Sequence, residues 1–177
     1  MKTWIAFFRG INVGGRNSLP MRELQALLRE LGCTDVVTYI QSGNVVFRHK
    51  EGQASSLAQT ISQTVLNRFY FSPHVLLMTV GHLKSALAAN PFSAAEENPK
   101  ALHLFFLSAT ATEADMDGLN KLRSASEEFR LIGQVFYLHT PDGIGRSKLA
   151  ARVEKLLGVP ATARNWRTAC KVFELAG

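Results

Sequence analysis

The chain has little cysteine, no long apolar run and no recognisable catalytic motif. Its 177 residues include two cysteines, Cys33 and Cys170, too few for a disulfide framework or a thiolate metal site. The apolar run near the start, Trp4 to Phe8, ends at Arg9. It is too short for the core of a secretion signal, and nothing approaches the roughly 18 apolar residues of a membrane span. These absences predict a cytoplasmic, reduced protein without membrane contact. His49, His74, His82, His103 and His139 lack metal-ligand spacing, and Glu113, Asp115 and Asp117 do not match a calcium loop, so no metal is expected. His103 lies inside an apolar stretch and reads as a satisfied core or sheet-face residue. Ser42 has no histidine that the sequence places beside it, and no residue stands out as a general base. Neither an enzymatic reaction nor a cofactor is specified at this level.

What is present is a core and an uneven charge. Apolar residues make up 46% of the chain, with 11 Phe, which excludes disorder. A chain this long buries about 70% of its extended surface, enough for one domain or two small ones. The net charge of +6 is concentrated at the two ends of the sequence. Residues 1–50 carry seven Arg/Lys against three acids, 51–141 six against eight, and 142–177 seven against three. If those ends meet, they form a positive patch suited to phosphates or carboxylates; a generally basic surface is the plainer alternative.

Hydrophobic spacing then organises the chain. Trp4–Phe8 reads as a buried strand, and Met21, Leu24, Leu27, Leu28 and Leu31 as one helix face, with Ser18 as cap and Gly32 as terminator. Val36–Ile40 and Asn44–Arg48 are strands across a Gln-Ser-Gly turn. A helix over 55–69 and a strand over 74–80 complete the split βαββαβ order. The segment 75–80 could equally begin a second unit. A linking helix over 82–89, a strand over 102–107, a helix within 112–127, a hairpin over 129–138 and a helix over 147–157 repeat the pattern. The expected architecture is α+β, two ferredoxin-like (split βαβ) sandwich subdomains packed together, spanning 1–80 and 81–177.

Four segments carry the candidate chemistry. The first holds Arg9, Asn12, Gly14 and Gly15, where glycines let backbone N–H groups approach a ligand and Arg offers paired donors. Asn12 has the alternative of fixing the loop by bonding to backbone. The second, Gln41, Ser42 and Asn44, is either a turn or a set of amides reading polar ligand edges. The third, Gly145-Arg146-Ser147-Lys148, places two cations at an expected helix start, which is unfavourable unless an anion lies between them. It is not a phosphate loop of the G-x-x-x-x-G-K type. The fourth is Arg164, Asn165 and Trp166; Trp166 either closes the core or offers a stacking surface, and the first is favoured.

Phe8-Arg9-Gly10-Ile11-Asn12-Val13-Gly14-Gly15, Thr38–Val45, Asn90-Pro91-Phe92, Gly145–Leu149 and Thr162–Thr168 together resemble the signature blocks of the bacterial family called domain of unknown function 1697. The blocks occur in order over nearly the whole chain. The resemblance implies two ferredoxin-like subdomains and brings no activity, cofactor or catalytic residue. The leading functional expectation is a phosphorylated small molecule or nucleotide bound in a basic cleft. The alternatives are a nucleic-acid-binding module, disfavoured because an RNP-type aromatic motif is absent, and a protein-interaction module whose partner the sequence does not name.

Overall fold

A computed structural model describes all residues, 1–177. The chain divides into two compact units, Met1–Lys84 with Lys171–Gly177, and Ser85–Cys170.

The first unit contains β1 (Lys2–Arg9), α1 (Met21–Glu30), β2 (Thr34–Tyr39), β3 (Asn44–His49), α2 (Ala54–Phe69) and β4 (His74–Thr79). Its strands pair antiparallel in the order β2-β3-β1-β4, the ferredoxin-like arrangement. Trp4 lies opposite Phe47 on one side and Thr79 on the other. The ambiguous segment at 75–80 therefore closes this sheet as β4. Trp4, Ala6 and Phe8 face a core shared with Leu24, Leu27 and Leu28 of α1 and Leu57, Ile61 and Val65 of α2. Ile5 and Phe7 on the opposite face are also buried, so the strand's sequence is a continuous apolar run and not an alternation. Leu66, next to Val65 on α2, is 37% exposed. Arg68 of α2 pairs with Glu30 of α1 on the surface; such a pair contributes under about 1 kcal/mol.

Helix α3 (Val80–Ala88) follows at once, with Thr79 Oγ1 accepting from the His82 amide at 3.2 Å. Then come β5 (Leu102–Leu107), α4 (Met116–Leu122), β6 (Glu128–Ile132), β7 (Val135–His139), α5 (Val153–Leu157), β8 (Ala161–Asn165) and α6 (Trp166–Leu175). The second sheet has the order β6-β7-β5-β8, which repeats the first. Phe136 stands edge-on to Phe105 at 5.9 Å and stacks on Phe129 at 5.2 Å, favourable ring geometries. Leu119, Leu149, Val153 and Leu157 cover that face. Tyr137 points to the other face and donates to the Ala86 carbonyl at 2.6 Å; burial pushes its hydroxyl pKa up to about 12.

Two helices are shorter than their sequences suggest. The one expected within 112–127 is confined to Met116–Leu122. Asp115 starts it by accepting from the Gly118 amide at 2.8 Å, and Glu127 ends it by folding back onto the Ser124 amide at 3.0 Å. In place of the helix expected over 147–157 stand a 3₁₀ turn, Ala150–Arg152, and the single-turn α5, with a separate 3₁₀ turn, Ile144–Arg146, before Ser147. Ser147 stands between the two 3₁₀ turns: its backbone is extended and its Oγ accepts from the Ala150 amide at 2.9 Å. A serine offering its own oxygen to the backbone competes with helix continuation.

Candidate functional site

The first candidate loop is organised around Asn12. Its backbone sits at φ 52°, a left-handed conformation that asparagine tolerates better than most residues. The side-chain nitrogen donates to the carbonyls of Leu19 and Gln41, both at 2.9 Å, and the oxygen accepts from the Leu19 amide at 2.7 Å. Asn12 thus clamps the loop to the 41–44 turn, the backbone-fixing alternative. Asn17 adds a bond to the Gly10 carbonyl at 2.7 Å. Gly14 and Gly15, at φ 56° and 74°, form the exposed tip of a tight hairpin closed by Arg16 N–H to Val13 O at 2.9 Å. Arg16–Pro20 separates that tip from the start of α1. Arg9 ends β1 opposite His74 and is half-buried.

The neighbouring turn is tied to β1 and to the Asn12 loop, with the Gly43 carbonyl accepting from the Phe8 amide at 2.8 Å. Asn44 is fully buried and donates to the Tyr39 carbonyl at 3.1 Å and to Ser42 Oγ at 2.9 Å. Gly43 is required by space as well as by conformation. Its φ is 74°, and a Cβ there would lie 2.5 Å from Phe8 Cβ and 2.7 Å from Ile11 Cδ1.

In the second unit the 142–148 segment lines a cleft of about 470 Å³ with the C-terminal end of α4. Lys121, Arg123, Arg146 and Lys148 contribute four cations, and Glu127 and Asp142 two carboxylates. Both carboxylates accept hydrogen bonds from uncharged groups. Glu127 is buried on the Ser124 amide, and Asp142 accepts from Ser126 Oγ at 2.5 Å. Arg123 donates to the Glu127 carbonyl at 2.8 Å. Lys121, Arg146 and Lys148 are not partners in the surface ion pairs Arg48–Asp35, Arg68–Glu30 and Lys171–Glu174. The charge at Arg146 and Lys148 was expected to sit at a helix N-terminus. With only a three-residue 3₁₀ turn there, it is carried by side chains facing the cleft and owes nothing to a helix dipole. Ser147 is buried and caps the next turn through Oγ. Lys121 and Arg123 escaped the sequence reading because they close an acid-rich stretch; the signal available was a basic pair at a helix end.

Arg164, Asn165 and Trp166 are not among the residues of this cleft. Arg164 lies on β8 opposite Leu104 and donates to the Ala163 carbonyl at 2.8 Å. Burial lowers its pKa to about 10, which leaves it charged at neutral pH. Asn165 Oδ1 caps α6 by accepting from the Thr168 amide at 2.8 Å. Trp166 is buried, in keeping with a ring that closes the core. His103 departs from the expectation of a satisfied residue: it is 7% exposed and its Nδ1 is buried without a hydrogen-bond partner. Desolvation pushes its pKa down to about 4, partly opposed by a hydrogen bond to the Ala101 backbone. No cluster of three His, Cys, Asp or Glu side chains is arranged to hold a metal ion, and no helix is long and apolar enough to cross a membrane.

Strand order and helix placement define an α+β protein of two ferredoxin-like units. The chain belongs to the family described as "Protein of unknown function (DUF1697)", which matches residues 1–137. The blocks at 145–149 and 162–168 lie beyond that span. A solved structure, "conserved bacterial protein SP0830 from Streptococcus pneumoniae", is similar over 99% of this chain and 98% of its own, with a TM-score of 0.69 and 23% identity. At that identity the likeness concerns the fold. No functionally curated protein matches the chain.

Proposed function

We propose that the protein binds a phosphorylated small molecule in the cleft between the end of α4 and the 142–148 segment. The observation that carries this reading is the set of cations lining one cavity, Lys121, Arg146 and Lys148, while both carboxylates of that cavity accept hydrogen bonds from serines of the 124–126 turn, Glu127 from the Ser124 amide and Asp142 from Ser126 Oγ. Such an arrangement leaves positive charge for an incoming anion without an internal ion pair to break. Arg146 supplies planar, two-point donation to phosphate oxygens, and the two lysines act as adjustable point charges. The cavity falls within the usual size of small-ligand sites.

The test is a thermal-shift and calorimetric screen of nucleotides and sugar phosphates at fixed ionic strength, since a ligand that prefers the native state raises its melting temperature. Arg146→Ala with Lys148→Ala should weaken the best ligand at least tenfold while leaving the unliganded melting temperature within about 2 °C, because both side chains are at the surface. Unchanged affinity in the folded double variant, or no ligand acting beyond matched simple salts, overturns the proposal.

A further inference from the structure

We infer that the ligand is a nucleotide, held with its phosphate in the basic cleft and its base in an adjoining cavity. This rests on the phosphate-binding reading above and assigns the part of the ligand that the reading leaves open. The second cavity, about 590 Å³, lies along β6, and Arg123 lines both cavities. A ligand reaching past Arg123 from the first cavity enters the second.

The second cavity is the more polar of the two, with a small apolar wall. Met116, 40% exposed at the start of α4, and Leu131 on β6 present apolar surface. An exposed methionine is a poor choice beside a second phosphate and a good one against the face of a planar ring. Arg130 uses one guanidinium nitrogen on the Phe129 carbonyl at 2.9 Å; its planar group keeps further donors and a face on which a base stacks. Asn120 donates to the Met116 carbonyl at 2.9 Å and retains its amide oxygen as an acceptor. Glu128 adds a carboxylate, which accepts from a ring or exocyclic N–H. The set of stacking surface, amide, guanidinium and carboxylate suits a neutral, polar, planar body. A sugar phosphate lacks that body.

The experiment compares ribose 5-phosphate with the four common nucleoside 5′-monophosphates by calorimetry at constant ionic strength, on the full chain. At least one nucleotide should bind tenfold or more tightly than ribose 5-phosphate. Asn120→Ala with Arg130→Ala should abolish that preference, while Arg146→Ala with Lys148→Ala should weaken both ligands and leave the preference in place. Circular dichroism of each variant confirms that it is folded; Arg130→Lys, which keeps the charge and loses the planar face, provides a milder variant with the same expected direction. Equal binding of sugar phosphate and nucleotides, both lost with Arg146 and Lys148, overturns the nucleotide assignment and leaves the phosphate site standing. Nucleotide preference that survives the Asn120 and Arg130 changes also overturns it. Binding of neither ligand removes both readings together.

Discussion

The Asn12 loop of the first unit and the 142–148 segment of the second are both glycine-bearing, polar and basic, yet their side chains are employed in opposite ways. Around Asn12 the amides are turned inward: Asn12, Asn17 and Asn44 bond to backbone carbonyls of their own loop and turn. Around Arg146 the hydrogen bonds belong to the acids and the serine, and the cations are left facing a cavity. Similar composition therefore serves conformation in one place and display of charge in the other. Deleting a group that fixes conformation should cost stability, whereas deleting a displayed charge should cost binding alone.

The strongest expected contrast is between two glycines. Gly43→Ala forces a Cβ into Phe8 and Ile11 at a left-handed backbone position. The conformational penalty of about 1–2 kcal/mol and an overpacking cost of similar size add to roughly 3 kcal/mol. For a chain of this length that is a fall of about 10 °C in melting temperature. Gly145→Ala meets nothing within 4 Å and needs no positive φ, so its effect should stay within about 0.5 kcal/mol. Comparable losses at the two sites, measured by denaturant unfolding, would dissolve the contrast.

Much of this architecture was legible in the sequence because it depends on local periodicity. The 3-and-4 spacing of Met21, Leu24, Leu27 and Leu28 needs only a sheet to bury it, and those four residues are the buried ones of α1. The apolar runs at 4–8 and 102–107 likewise became the central strands β1 and β5. Periodicity failed where a side chain competes with the backbone. Asp115, Glu127 and Ser147 each divert a hydrogen bond and shorten a helix that propensity would extend. Strand β8 was missed because Arg164 and Asn165 break its apolar character, although pairing with β5 places its first residues in the core. At the candidate site, glycine and charge drew attention to Arg146 and Lys148. Lys121 and Arg123 could not be added, because only the folded chain brings the end of α4 to that segment.

His103 probes the buried side of the same comparison. Its folded pKa near 4 lies below the ordinary 6.5, so the unfolded chain takes up the proton more readily. Its contribution is intact above about pH 6.5 and is lost progressively as the pH falls towards 4, below which it no longer changes. The full difference is on the order of 3 kcal/mol, at about 1.4 kcal/mol per pH unit of displacement. His103→Gln removes the titration, so the stability lost between pH 7 and pH 4.5 should shrink by about 2 kcal/mol relative to the parent. Urea unfolding at the two pH values measures it. An identical acid-induced loss in parent and variant would assign the acid sensitivity to other groups.

Asn12 offers the smallest and most discriminating of the stability tests. Asn12→Ala removes three hydrogen bonds and places alanine at φ 52°; partial exposure lets water replace some of the bonds, so the cost should be about 2 kcal/mol. Asn12→Gly restores conformational freedom and still removes the bonds, so it should recover a fraction of the loss, about 0.5–1 kcal/mol. Asn12→Asp keeps the acceptor for the Leu19 amide but turns a carboxylate towards the carbonyls of Leu19 and Gln41; it should be no better than alanine. That ranking, Gly above Ala and Asp, is the signature of a clamp. If instead all three variants keep parental stability, the amide's bonds do not hold the loop, and the division between a conformational loop and a charge-displaying cleft fails at its first member.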